Sequence, residues 1–325
     1  MPLSMSALEA GEILDHYRID DAVARSGMSV LYRATDLRDG KQVAIKIPHA
    51  EMEADPILVE RFIREEEIGQ MLDHPGIVKS YPDEQRSRRY MVLQWVEGKL
   101  LRKILNETRV LPVDRAVRIA LGICDALDTM HKHGIVHRDL KPENVMVDEQ
   151  DRVKLIDFGI AMKEDARRLT YVNMTGALGT PDYVSPEQVK GGRGDQRSDI
   201  YALGTMLYEM LTGRVPFTDE NALAALNARL QREPTPPREL NRAISPELEE
   251  VLFRALEREP RHRYATASEM AWELEHQELV GVEERGGRTA TRTVRRKIDR
   301  KWLIYGAVAL VPIALFILML LLAQR

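Results

Sequence analysis

Around Gly98 the apolar pattern of the chain changes period, from short strand-like runs to long stretches with helical spacing. A chain patterned this way must pack a strand-rich part beside a helical one. Val30 to Ala34 and Val43 to Ile47 flank Asp39-Gly40, a hairpin with its turn signal. Leu58, Phe62, Ile63 and Ile68 recur at helical spacing between Pro56 and Leu72, and His74-Pro75 ends that run. Strand-like segments follow at 77–81 and 90–96. Beyond Gly98, Pro112 opens a helix with Val117, Ala120, Leu121, Cys124, Leu127 and Met130 on one face, and a second helix over 200–211 closes at Gly213. The expectation is an α+β fold: a strand-rich small lobe, a larger helical lobe, and a cleft between them.

A length of 325 residues allows one large two-lobed domain and a modest appendage. With 44% hydrophobic and 30% charged residues the bulk reads as globular. The formal net charge of −4 offers no global case for a nucleic-acid partner. The single cysteine, Cys124, falls in a helix's apolar register, so it reads as a buried structural residue in a reducing compartment. Met1 to Gly11 lack the basic start and apolar run of a secretory signal.

The last part of the chain differs in kind. Residues 281–301 are rich in Gly, Thr and Arg and read as a basic linker, with no internal repeat anywhere in the chain. Residues 303–323 carry no charge, and at ~1.5 Å per residue they span about 31 Å, the thickness of a bilayer's hydrocarbon core. Pro312 is tolerated in membrane helices, and Trp302 and Tyr305 suit the interface. The expectation is one transmembrane helix at 302–323. Arg295, Arg296, Lys297, Arg300 and Lys301 precede it, which by the positive-inside rule keeps everything N-terminal in the cytoplasm and sends the C-terminus across the membrane.

The most specific motif is His137-Arg138-Asp139-Leu140-Lys141-Pro142-Glu143-Asn144, followed by Asp157-Phe158-Gly159. With equal use of twenty residue types, the five fixed positions of H-R-D-L-x-x-x-N arise by chance in about one such chain in 10⁴. The chemistry this set suits is phosphoryl transfer from ATP. Mg²⁺ bridging phosphate oxygens requires hard oxygen ligands, which Asn144 and Asp157 supply. Asp139 is the carboxylate that orients a substrate hydroxyl and accepts its proton, and Lys141 balances charge developing on the transferred group.

These residues resemble the eukaryotic-like (Hanks-type) protein kinase family, over roughly residues 17–279. The resemblance implies a kinase domain at 16–280, with its small lobe at 16–96 and its large lobe at 97–280, after an N-terminal extension at 1–15. Val43-Ala44-Ile45-Lys46 is similar to the third strand of the small lobe, which implies that Lys46 holds the α- and β-phosphates with Glu65 as its partner. Glu66 and Glu67 compete for that role, but neighbouring helical residues point about 100° apart, so one alone can face Lys46. The run Val92 to Gly98 resembles the hinge that binds adenine, with Leu93 as gatekeeper, backbone groups of Gln94 and Val96 facing the base, and Ala44 and Met146 on either side of the ring. Gly179 to Glu187 is similar to the substrate-positioning end of an activation segment. Asp199 looks like the Asp that braces the catalytic loop, and Arg263 like the partner of Glu187. ATP and Mg²⁺, or Mn²⁺ in its stead, are the implied cofactors.

One motif departs from the family. The glycine-rich loop here reads Ala24-Arg25-Ser26-Gly27-Met28-Ser29, with Leu31 just beyond, and its first two glycines are replaced. Glycine there lets backbone amides approach phosphates. Gly27-Met28-Ser29 resembles the bacterial members, and the C-terminal anchor is closest to bacterial transmembrane serine/threonine kinases. Lys141-Pro142-Glu143-Asn144 resembles the serine/threonine form of the loop. The expected function is transfer of the γ-phosphoryl group to Ser or Thr of protein substrates. The alternative is a catalytically impaired pseudokinase acting as a membrane scaffold, which the altered loop favours. Arg138 marks kinases switched by an activation-segment phosphate, and Thr175, then Thr170, are the candidate acceptors, with Thr180 structural. Confinement to a bilayer favours phosphorylation in trans within a homodimer.

Overall fold

The computed structural model describes residues 8–50, 54–83, 85–158 and 181–282, together with the backbone of 162–163. All belong to one unit, Met1–Val282. Thr170, Thr175, Thr180, residues 283–301 of the basic linker and the apolar run at 302–323 lie outside the described residues. Among the described residues, no helix is long and apolar enough to cross a membrane.

The small lobe is an antiparallel sheet of β1 (Ile13–Leu14), β2 (Tyr17–Arg25), β3 (Ser29–Asp36), β4 (Gln42–Pro48), β5 (Ser80–Tyr81) and β6 (Met91–Gln94), in the order β1-β2-β3-β4-β6-β5. The β3–β4 hairpin turns where Asp39-Gly40 signalled. Asp36 accepts the Arg38 and Gly40 N–H groups, at 2.9 and 2.8 Å, and Gly40 takes a left-handed φ of 75°. Its register pairs Leu31 with Lys46 and Arg33 with Ala44. One face of the sheet buries Tyr17, Ile19, Tyr32, Val43, Ile45 and Val92.

Across the sheet runs α1 (Pro56–Met71), started by Asp55, whose carboxylate accepts the Ile57 N–H at 2.8 Å, and by Pro56 in its first turn. It buries Phe62, Glu65, Ile68 and Gly69, while Ile63, grouped with the apolar positions by spacing, is exposed. Gly69 is packed so close to β5 that a Cβ there would lie 2.9 Å from that of Ser80. The strand-like run 77–81 yields only two strand residues. Ile77 and Val78 turn away to the large lobe instead, where Val78 N–H donates to Leu155 O and Leu155 N–H to Gly76 O, both at 2.8 Å.

The large lobe holds α2 (Leu101–Thr108), α3 (Val113–Lys132), α4 (Pro186–Val189), α5 (Gln196–Thr212), α6 (Ala222–Gln231), α7 (Pro237–Leu240), α8 (Pro246–Ala255) and α9 (Ala267–Glu275). Helix α3 buries Val117, Ala120, Cys124, Leu127 and Met130, as its period implied, and burial pushes the Cys124 thiol up. Helix α5 is buried from Ser198 to Leu211 and ends at Gly213, φ 75°. It begins earlier than the apolar pattern indicated, because its first turn is polar yet inside: Asp195 caps it, and Ser198 and Asp199 are buried. Each large aliphatic buried here contributes ~1.5–3 kcal/mol, which makes α3 and α5 the scaffold on which the short segments between them rest.

Between the lobes lie the short strands β7 (Lys99–Leu100), β9 (Val145–Val147) and β10 (Val153–Leu155), in the order β10-β9-β7, while β8 (Ile135–Val136) pairs with β11 (Met162–Lys163). The chain passes from β6 of the small lobe to these strands through residues 95–98, and they frame the site.

Candidate active site

Lys46 on β4 reaches two carboxylates, Glu65 on α1 at 2.5 Å and Asp157 after β10 at 3.7 Å. Burial alone would lower its pKa, but the two carboxylates outweigh burial and hold the ammonium above the ordinary lysine value. Burial pushes Glu65 up to about 7 against the pull of Lys46. The three consecutive glutamates have three fates. Glu65 is inside and on Lys46, Glu66 accepts from Arg86 at 2.5 Å, and Glu67 is in solvent.

The segment after β8 is held by one buried carboxylate. Asp199 Oδ2 accepts the His137 N–H at 2.9 Å and lies 2.8 Å from His131 Nε2, and Oδ1 accepts the Arg138 N–H at 2.8 Å. Burial raises the Asp199 pKa, yet the His131 hydrogen bond, the nearby imidazoles and the Arg138 amide together hold it below the usual carboxylate range. Arg138 has φ 65°, a left-handed conformation that costs an arginine energy and persists only where surroundings enforce it. Asp199 grips its amide, and Gln188 Nε2 donates to its carbonyl at 3.0 Å.

The bend sets up the next residues. Asp139, partly exposed, accepts from Lys141 Nζ at 2.7 Å, and its backbone carbonyl accepts from Asn144 Nδ2 at 2.8 Å. Pro142 opens a single 3₁₀ turn, Pro142–Asn144, that brings Asn144 back beneath Asp139. Asn144 O in turn accepts the Ile156 N–H at 3.1 Å, which brings the residue next to Asp157 alongside Asn144. Phe158 is buried edge-on to His137, with ring centroids 5.9 Å apart.

These two residues fit a small hard cation. Asn144 spends its amide nitrogen on Asp139, so its amide oxygen is the group left to offer, and Asp157 adds a carboxylate that is 43% exposed. Among the described residues, no cluster of three or more His, Cys, Asp or Glu could hold a metal by itself. Mg²⁺ needs none, because it is held by one or two protein oxygens together with phosphate oxygens and water.

The remaining candidates divide. Ala44 and Leu93 are register partners across β4 and β6, both buried; Leu31 and Val96 are half-buried against the core cluster that contains them, and Met146 is half-buried on β9. The Gln94 N–H is engaged by Lys79 O at 2.8 Å, and its side-chain oxygen accepts from Lys154 Nζ at 3.0 Å. Ala24, next to the last residue of β2, pairs with Leu31. Ser26 closes a turn onto Ser29: its N–H donates to Ser29 O at 2.9 Å, and its Oγ accepts the N–H groups of Met28 and Ser29 at 3.2 and 3.0 Å.

Two positioning residues, Arg102 and Arg229, had no sequence signal, whereas the Arg263–Glu187 pair was expected from the resemblance. Arg102 on α2 donates to Glu143 and Glu209, each at 2.8 Å, and to the Tyr183 hydroxyl, which itself donates to Glu209. Arg229, buried on the alanine-rich α6, donates to the carbonyls of Asp182 and Val184, both at 2.7 Å. Burial lowers its pKa, and it raises that of Asp182 nearby. Arg263 grips Glu187 through two nitrogens at 2.7 and 2.8 Å, and despite burial keeps that carboxyl below its usual range.

A sheet-built lobe with a Lys–Glu pair, joined to a helical lobe that presents Asp, Lys, Asn and a second Asp on one short loop system, is the architecture of a phosphotransferase. The sequence profile described as "Protein kinase domain" matches residues 17–274. The chain belongs to that family, in its Hanks-type serine/threonine branch. It is 38% identical over 264 residues to a Streptomyces coelicolor protein named "Probable serine/threonine-protein kinase", covering 80% of this chain and 39% of that one. It is 37% identical over 265 residues to the serine/threonine-protein kinase PknB of Mycolicibacterium smegmatis, covering 80% and 42%, and 36% identical to the PknB of Mycobacterium leprae with the same coverage. The chain thus spans about two fifths of the length of the curated relatives it matches.

Proposed function

We propose that the chain transfers the γ-phosphoryl group of ATP to serine and threonine hydroxyls of protein substrates. One observation carries this reading: the contact of Lys46 with both Glu65 and Asp157, which draws a strand, a helix and the loop after β10 to one point. Lys46 would hold the α- and β-phosphates in register, kept charged by its two carboxylates. Asp139, restrained by Lys141 and Asn144, orients the substrate hydroxyl and takes its proton as the bond to phosphorus forms. Lys141 stays beside the transferred group and offsets its charge. Mg²⁺, when bound by Asn144 and Asp157, neutralises charge on the phosphate oxygens. Ala44, Leu93, Val96 and Met146 would enclose adenine, and Mn²⁺ would serve in place of Mg²⁺. Radiolabelled phosphate transfer to myelin basic protein, with phosphoamino-acid analysis, tests this. Label on serine or threonine that is lost in Asp139→Asn supports it, and equal labelling by both proteins defeats it.

The same reading extends to location and control. Residues 302–323 would anchor the chain by one transmembrane helix, with the basic flank and the kinase domain in the cytoplasm. Copies confined to one bilayer meet often, so a homodimer would phosphorylate its own activation segment in trans, on Thr175 first and Thr170 second. Centrifugation of cell lysate, with mass spectrometry of the pellet, examines both. The protein is expected in the membrane pellet, with phosphate on Thr175 or Thr170. Full-length protein remaining in the supernatant would remove the anchor, and absence of phosphate from both threonines would remove the switch.

A further inference from the structure

Where the family places a second glycine, this chain has Ser26, and its side chain is fully occupied within its own loop. Oγ accepts the N–H of Met28 at 3.2 Å and of Ser29 at 3.0 Å, and donates to Ser29 O at 3.2 Å. The carbonyls are tied down from another direction: His49, just past the end of β4, donates its backbone N–H to Met28 O and its ring Nε2–H to Ser26 O, both at 2.9 Å. The two sets of bonds differ in one respect. An anion cannot take a carbonyl, so the His49 contacts survive the arrival of a phosphate. The N–H groups of Met28 and Ser29 are what a phosphate oxygen seeks, and Ser26 Oγ already holds them.

Among the described residues the turn is open at Met28, which is exposed, while Ser29 is buried. Gly27 lies outside the left-handed region, and a Cβ built on it would meet nothing within 4 Å, so the face above the loop is open. Ala24 and Arg25, the positions just before, are exposed. Resting on the kinase reading above, we infer that Ser26 is an internal competitor for the nucleotide's phosphates. Its hydroxyl stands in for a phosphate oxygen in the free protein, and binding of ATP exchanges one for the other. A charged phosphate oxygen accepts more strongly than a neutral hydroxyl, so the exchange runs forward, at the cost of the bonds to Oγ. Ser26 therefore sets the affinity for the phosphate part of the nucleotide and leaves the adenosine part untouched.

The test is equilibrium binding of ATP with Mg²⁺, and separately of adenosine, to the full-length protein in detergent. Removal of two or three neutral hydrogen bonds from the competing state implies that Ser26→Ala and Ser26→Gly each bind ATP roughly 30- to 150-fold tighter. Adenosine affinity should not change, and Ser26→Thr, which keeps a hydroxyl, should stay near wild type. Weaker ATP binding by Ser26→Ala would make Ser26 a phosphate ligand and overturn the inference. Unchanged ATP binding, or an equal shift for adenosine, would overturn it as well. Wild-type protein that binds neither ligand would instead bring down the kinase reading and this inference together.

Discussion

The catalytic loop and the phosphate loop are both short, irregular segments, yet they are held by opposite means. Residues 137–144 are fastened from outside: Asp199 and Gln188 lie 50 or more positions away in sequence and grip the backbone at His137 and Arg138. Residues 26–29 are fastened mainly from within, by a serine two and three positions from the amides it holds. A bend forced by a buried anion cannot relax without stripping that anion of its partners, so the geometry around Asp139 is built before any ligand arrives. A staple made by one exposed hydroxyl is worth about 1 kcal/mol per hydrogen bond and opens readily. On the proposed reading, chemistry rests on the first kind of support and affinity for phosphates on the second.

The strongest way to break this comparison is to remove a side chain at the reacting centre. Lys46→Met takes away the cation shared by Glu65 and Asp157, and Asp157→Ala the more exposed of the two oxygen ligands. Each should reduce phosphate transfer by at least ~10²-fold. Retention of more than half the wild-type rate by either would sink the assignment.

A smaller effect sharpens the comparison through stability. Asp199→Asn turns an NH₂ toward donors that need an acceptor and should lower unfolding free energy by roughly 2–3 kcal/mol, read from denaturant titration. The same residue sets an acid dependence. The folded pKa of Asp199 lies below the ordinary 3.8, so its contribution is fully present above that value and is lost as pH falls through the lowered one. Wild type should therefore lose stability below about pH 4, more steeply than Asp199→Asn. Parallel acid limbs in the two proteins would mean that Asp199 does not carry the load.

Much of this arrangement was legible in the amino-acid order, and its limits are physical. The lobes could be read because period 2 gives way to helical spacing. The candidate reacting residues stood out because phosphoryl transfer tolerates few side chain types at positions such as Asp139, Asn144 and Asp157. Lys46 and Glu65 could be paired from the resemblance, but only the winding of α1 distinguishes Glu65 from Glu66 and Glu67. Arg102 and Arg229 were invisible. Each lies on a helix where an arginine ordinarily faces water, and each is drawn inside by partners 40 or more positions away. Ser26 was visible as a departure from the glycine pattern, whereas its hydrogen bonds depend on backbone angles that the residue types alone do not specify. The shortened strand at 77–81 misled for a related reason: Ile77 and Val78 have strand character, but they pair with Leu155 in the other lobe.

The most direct test of the division between the loops is steady-state kinetics of wild type, Ser26→Ala and Asp199→Asn side by side, with ATP as the varied substrate. The prediction is that Ser26→Ala lowers KM for ATP and leaves kcat within about twofold, while Asp199→Asn lowers kcat by tenfold or more and leaves KM nearly unchanged. If instead Ser26→Ala lowers kcat as far as Asp199→Asn does, the two loops share one function and the division fails.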